Sequence, residues 1–335
     1  MTRYATIISS GMYIPENEIT NQTFAEWMGA VNPKLPEVVS KFEASTGIKT
    51  RFYAPDDWVT SDLATEAGKR AIAAAGLKPE DIDLVIVGTD SPDYITPATS
   101  VVTQYKLGCV NAGTWDVGCA CASFPTALAQ AAGLIAVNPN LKYVLVIGAY
   151  MMHKLADTHH DLNAFFYGDG AGAAVLGASD KPGFVSTSIK ADGSYHKHWG
   201  IYSGGTYEPA SVESVQAGRT TVKLLTPFPA SVNHEGWPAR VRECAANGGF
   251  GIEDIDHIIF TQVNLSSIKL VTGVLNFPFE KAHYVMDKWG YMGSACLPIA
   301  FHDAVQQGKI TSGMRVVFCG SGVGYNQAAT CFIMP

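Results

Sequence analysis

The run Gly76-Leu-Lys-Pro-Glu-Asp-Ile-Asp-Leu-Val-Ile-Val returns, 173 residues on, as Gly249-Phe-Gly-Ile-Glu-Asp-Ile-Asp-His-Ile-Ile-Phe. The same spacing relates Pro125 to Pro298, and a spacing of 172 relates Tyr143-Val-Leu-Val-Ile-Gly148 to Arg315-Val-Val-Phe-Cys-Gly320. A chain that repeats at a near-constant offset folds as two similar halves, here divided as 1–180 and 181–335. Each half reads as an amphipathic helix, a Gly turn, Glu-Asp-Ile-Asp, a short buried strand, a strand-to-helix junction, a second helix and another buried strand. Ala64–Ala75 and Ser231–Ala246 are equivalent helices. Val85–Val87 and Ile258–Phe260 have the unbroken apolar character of strands covered on both faces. The expected fold class is a layered α/β fold whose halves meet face to face, with function in the crevice at the strand ends.

Composition narrows the chemistry. With 47% hydrophobic and 16% charged residues, the 335-residue chain can build a sizeable core. A net charge of −7, with Lys and Arg scattered singly, gives no basic stripe, so neither nucleic acid nor a membrane surface is an expected partner. Seven cysteines at irregular spacing form no disulfide framework, and the start Met-Thr-Arg-Tyr-Ala-Thr has no signal-peptide pattern. A reducing cytoplasm is expected, which leaves the sequons at Asn21 and Asn264 idle. No apolar run reaches the roughly 20 residues that span a bilayer. No metal site is expected either: Cys119 and Cys121 lack a second ligand pair, and His159-His160-Asp161 reads as a solvated loop.

Cys121 is the nucleophile candidate. In Thr114-Trp-Asp-Val-Gly-Cys-Ala-Cys-Ala-Ser-Phe-Pro an apolar strand gives way to small residues and then to a helix. The partial positive charge of a helix N-terminus favours thiolate and can draw a cysteine pKa down to roughly 3.5–7.5. At the repeat offset Cys121 corresponds to Ser294, so the nucleophile belongs to the first half alone. The polar segment Gly193–Thr226 has no counterpart in the first half and is expected to cap or frame the pocket. Gly168-Asp-Gly-Ala-Gly-Ala-Ala is followed by a strand, not the helix that a dinucleotide-binding fingerprint requires. Its glycines are expected to let backbone approach the nucleophile helix.

The layout resembles the thiolase superfamily, and within it β-ketoacyl-acyl carrier protein synthase III. Asp116-Val-Gly-Cys-Ala-Cys-Ala-Ser-Phe resembles the family's nucleophile motif in the register that selects Cys121 over Cys119. Tyr167-Gly-Asp-Gly-Ala-Gly-Ala-Ala-Val-Leu, Ser45-Thr-Gly-Ile-Lys-Thr-Arg and Gly320-Ser-Gly-Val-Gly resemble three further family stretches. The resemblance implies an α-β-α-β-α layered fold and a homodimer, with a heteromer as the other arrangement. It implies acyl-coenzyme A or acyl-carrier-protein thioesters as substrates, no permanently bound cofactor, and an acyl carrier protein as partner. It also implies an oxyanion hole from the N–H groups of Cys121 and Val323.

The same resemblance exposes departures. Phe260-Thr-Gln-Val-Asn-Leu-Ser keeps Gln262 and Asn264 of the family's Pro-His-Gln-Ala-Asn motif, taken here as substrate-binding, but puts Thr261 at the histidine. Trp289-Gly-Tyr-Met-Gly-Ser-Ala puts Tyr291 at the family's asparagine. Hydroxyls there can each donate one hydrogen bond but cannot present an imidazolium. The positions of the coenzyme A contacts fall at Lys41, Ser45, Asp161 and Ser266, with Lys269 one turn along as a substitute. His234 is a further base candidate, and Thr96 matches a bulky apolar position at the acyl tunnel, so a longer or branched acyl group is expected. The resulting expectation is an acyltransferase with an altered condensation or with transfer to oxygen or nitrogen, in lipid or secondary metabolism. Its rival is a non-catalytic subunit that partners an active homologue.

Overall fold

A computed structural model describes residues 3–335. The first half builds a five-stranded sheet from β1 (Tyr4–Tyr13), β2 (Leu84–Gly88), β3 (Gly113–Val117), β4 (Tyr143–Tyr150) and β5 (Gly170–Ser179), in the order β1-β5-β4-β2-β3. The second builds a four-stranded sheet from β6 (Phe184–Ala191), β7 (His257–Phe260), β8 (Arg315–Gly322) and β9 (Asn326–Ile333), in the order β6-β9-β8-β7. The two orders superimpose strand for strand. Each sheet contains a corresponding parallel pair, β2 with β4 and β7 with β8, and the following strand returns antiparallel. The fifth strand of the second sheet survives only as a bridge from Ile258 to Ala282.

Helices fill the layers around and between the sheets. Outer helix α1 (Thr60–Ala74) covers the first sheet with Leu63, Ala64, Ala67 and Ala71, which pack on Val85, Val87, Leu145 and Ile147. A shorter helix α2 (Thr99–Leu107) begins where Asp116 at the end of β3 accepts from the Thr99 and Ser100 N–H groups, both at 2.7 Å. On the second sheet lie α4 (Ser231–Gly248) and α5 (Leu265–Leu275). Between the sheets lie α3 (Ser123–Val137), which touches both, and α6 (Cys296–Gln306). Ala120–Val137 is apolar and long enough to cross a membrane by length and composition, and 67% of it is buried as this central layer. All seven cysteines are free thiols.

The seam between the halves is built on glycine. A Cβ at Gly148 on β4 would collide with the Ser294 carbonyl oxygen, and one at Gly320 on β8 would lie 2.7 Å from the Cys121 carbonyl oxygen. Each half's strand therefore seats the other half's junction. The Gly168–Gly172 run differs from expectation in its partner: Gly170 and Gly172 lie under Met292, Pro298 and Ile299 at the start of α6, not under the nucleophile helix. The segment that closes on the Cys121 loop is the end of β8, Gly320–Gly322, whose last glycine leaves no room for a Cβ against Cys119 and Ala120.

Candidate active site

Cys121 sits in a single 3-10 turn, Ala120–Ala122, between β3 and α3. Ala120 immediately before it has φ +46°, a left-handed conformation that a non-glycine residue adopts only when its surroundings hold it there. This sharp turn puts the thiol at the helix start, as the sequence implies, but its acidity runs the other way. Cys121 is 2% exposed, and burial pushes its pKa well above that of a free thiol. The acidic groups Cys296 and Asp90 add to that shift, and a hydrogen bond with the Tyr291 hydroxyl opposes it. Enclosure by the second half removes the water that would solvate a thiolate.

Tyr291 is held by backbone from both sides. Its N–H donates to Phe166 O (3.1 Å) and its carbonyl accepts from Gly168 N–H (2.8 Å). Asp169, buried in the same run, accepts from Ala54 N–H and pairs with His153, which fixes the loop on which Tyr291 rests. The phenol thus reaches the Cys121 sulfur, and burial holds its proton on. Thr261, at the end of β7, is buried and accepts from the Ser321 N–H at 3.1 Å. A Cβ on Gly320 would lie 3.3 Å from its hydroxyl oxygen and 2.7 Å from Cys121 O, so Thr261 stands just behind the nucleophile.

Beside Tyr291 is a cavity of about 220 Å³ between the halves. Asp90, Tyr150, Tyr167 and Val323 line it, and Trp199, Ile201 and Val222 from the Gly193–Thr226 segment close it. That segment frames the site, as expected. Ile201 also lines a larger cleft of about 710 Å³ in which Lys197 and Lys223 stand.

Asp90 was not singled out by the sequence. Protein surrounds it, the open part of its side chain faces the cavity, and Ser294 Oγ donates to its Oδ1 at 3.0 Å. Burial pushes its carboxyl up to about 6, against the pull of the Ser294 hydrogen bond. The signal available was a lone carboxylate directly after a wholly apolar strand, at the strand end where α/β folds bind ligands.

Other expected site residues lie apart from the cavity. Gln262 spends its amide on backbone as a buried brace: Nε2 donates to Phe260 O (2.7 Å) and Oε1 accepts from Val285 N–H (2.9 Å). Asn264 caps α5 by accepting from Ser267 N–H at 3.1 Å. His234 Nε2 is 3.0 Å from Ser267 Oγ and does not line the cavity. Lys269 is exposed over the Phe279 ring. Thr96 is exposed in the Tyr94–Pro97 loop and does not line the cavity within one chain. Of the four positions aligned with coenzyme A contacts, Lys41 pairs with Glu37 and Asp161 with Lys223, while Ser266 Oγ donates to Ser45 O at 2.8 Å.

Two repeated halves with a helix-start cysteine at their seam define a thiolase-like ketoacyl synthase. Residues 115–193 match the family profile described as 3-oxoacyl-[acyl-carrier-protein (ACP)] synthase III, and residues 245–333 match its C-terminal profile. The chain belongs to that family. It is 28% identical to the β-ketoacyl-[acyl carrier protein] synthase III of Thermus thermophilus, with a TM-score of 0.87 over 98% of this chain and 99% of that one. The 3-oxoacyl-[acyl-carrier-protein] synthase III of Aquifex aeolicus is 26% identical, with a TM-score of 0.85 over 98% and 99%. The priming β-ketosynthase of the R1128 polyketide biosynthetic pathway is also 26% identical, with a TM-score of 0.85 over 100% and 97%.

Proposed function

We propose that this chain is an acyltransferase in which Cys121 takes an acyl group from a coenzyme A or carrier-protein thioester and passes it to an acceptor in the adjoining cavity. The observation that carries the reading is the Tyr291 hydroxyl on the Cys121 sulfur, at a cavity that Tyr291 and Val323 both line. The phenol donates to sulfur when Cys121 carries charge, both as attacking thiolate and as leaving group. Backbone N–H groups of Cys121 and Val323 serve the thioester oxygen as it becomes tetrahedral, where each such donor is worth about 3 kcal/mol. Thr261 and Tyr291 supply no imidazole, which favours an altered condensation or transfer to oxygen or nitrogen over ordinary malonyl decarboxylation. The cleft beyond Ile201, with Lys197 and Lys223, is the entry for a phosphate-bearing donor.

A homodimer fits the exposed features of the first half. β3 ends its sheet with an unpaired edge, and Val101, Tyr105 and Val110 stand exposed beside it. The buried, high-pKa thiol is the observation that favours the second reading, a non-catalytic partner of an active homologue. Intact-mass analysis with a panel of acyl-coenzyme A and acyl-carrier thioesters, alongside Cys121→Ala, separates the two. A thioester adduct on the wild type alone supports the enzyme, and no adduct with any donor supports the partner subunit. Carbon dioxide release from malonyl thioester would restore ordinary condensation.

A further inference from the structure

We propose that Asp90 is the proton acceptor of the second half-reaction, taking the proton of a small neutral hydroxyl or amine nucleophile as it attacks the acyl carbon on Cys121. The inference rests on the acyl-Cys121 reading above and supplies the base that reading lacks. Neither residue at the family's catalytic pair can take a proton readily. Thr261 is a neutral alcohol whose oxygen already accepts from Ser321 N–H, and Tyr291 is a phenol at the sulfur. His234, the histidine weighed for the task, is engaged with Ser267 and does not line the cavity.

Asp90 has the geometry that these lack. Ser294, the repeat counterpart of Cys121, donates to Oδ1 and fixes the carboxyl, while the open part of the side chain faces the 220 Å³ cavity beside Tyr291. The volume suits a small acceptor with the acyl carbon. The titratable groups that face Asp90 are Tyr150 at the end of β4, Tyr167 and Tyr291 from the two loops, Cys121 from the nucleophile turn and Cys296 at the start of α6. Burial keeps the protons of all five on near neutral pH, so the carboxyl is the group among them that changes state there. A base that titrates near the working pH combines a correct protonation state with driving force for proton transfer.

The step balances without a co-reactant. The acceptor's oxygen or nitrogen forms a bond to the acyl carbon, the carbon–sulfur bond breaks, and Cys121 leaves as thiolate accepting from the Tyr291 hydroxyl. The acceptor's proton goes to Asp90 and from there to the thiolate, which restores both groups for the next acyl donor.

The test uses full-length protein first converted to acyl-enzyme with an acyl-coenzyme A and verified by intact mass, then followed during discharge by water and by methanol. If the wild type forms no acyl-enzyme, the parent reading fails at that stage and is recognised there. From verified acyl-enzyme, Asp90→Asn, which keeps the size and the Ser294 contact, is expected to discharge about 10²-fold more slowly and to lose the acid limb of the rate profile near pH 6. Ser294→Ala is expected to move that limb to higher pH, because the donor that favours the carboxylate is gone. Discharge of the Asp90→Asn acyl-enzyme at the wild-type rate, or an acid limb that Ser294→Ala leaves in place, would overturn the assignment.

Discussion

The Tyr291 hydroxyl rests on the Cys121 sulfur, with the phenol lining the cavity that the thiol itself does not reach. One residue from the second half therefore contacts the Cys121 thiol of the first and lines the adjoining cavity. In Tyr291→Phe the thiolate loses its donor. The pH midpoint for alkylation of Cys121 by iodoacetamide, followed by peptide mass, is expected above 9 in the wild type and roughly 1–2 pH units higher in the variant. A wild-type midpoint below 7.5 would mean that the helix end outweighs burial.

Asp90 carries a stability cost that can be measured apart from any activity. Its carboxyl titrates at 3.8 ordinarily and at about 6 in the fold, so the native state binds the proton more tightly and stability falls as pH rises through that window. Asp90→Asn removes the cost. By denaturant titration the variant is expected to gain as much as roughly 3 kcal/mol over the wild type at pH 8, with most of the advantage gone by about pH 4 and the rest below about pH 3. An equal difference at both pH values would show that Asp90 does not titrate as described.

Thr261 is expected to matter first as an acceptor for backbone. Thr261→Val keeps the shape but leaves the Ser321 N–H unpaired in a buried setting, at a cost of about 1–3 kcal/mol in unfolding free energy. Thr261→Ser keeps the oxygen and should stay within about 1 kcal/mol of the wild type. Equal losses in the two variants would point to packing of the methyl group instead.

Gly148→Ala and Gly320→Ala test the seam. Each methyl meets backbone of the opposite junction, which has no rotamer with which to yield, so each is expected to destabilise by about 1–3 kcal/mol. A control at Gly113 on β3, a strand glycine whose Cβ would make only an ordinary 3.8 Å contact with Leu84, isolates the part of the loss that is not steric. Thermal shifts no larger than that control would mean that the junctions are not seated as described.

The repeat and its offset were enough to anticipate a layered α/β fold, the helices expected at Ala64–Ala75 and Ser231–Ala246 and found at Thr60–Ala74 and Ser231–Gly248, and the place of Cys121, because these follow from local periodicity and from small residues at a strand-to-helix change. The acidity of the thiol was not legible. It depends on which atoms from the other half enclose the sulfur, and Tyr291 lies 170 positions away. Gln262 shows the same limit: an amide in a catalytic-looking stretch is satisfied by Phe260 and Val285, a fact of tertiary position. Asp90 had the thinnest signal of all, one carboxylate in Gly-Thr-Asp-Ser-Pro, which any surface loop could hold.

The reciprocal seating of Gly148 under Ser294 and of Gly320 under Cys121 gives one polypeptide the contact rules of a symmetric pair. Neither half could be inherited alone without leaving its junction unsupported, and a change in either strand glycine is felt at the opposite loop. The difference between the two junctions therefore reduces to a broken symmetry at a single atom: sulfur at one, where it meets the Tyr291 hydroxyl, and oxygen at the other, where it holds the Asp90 carboxylate.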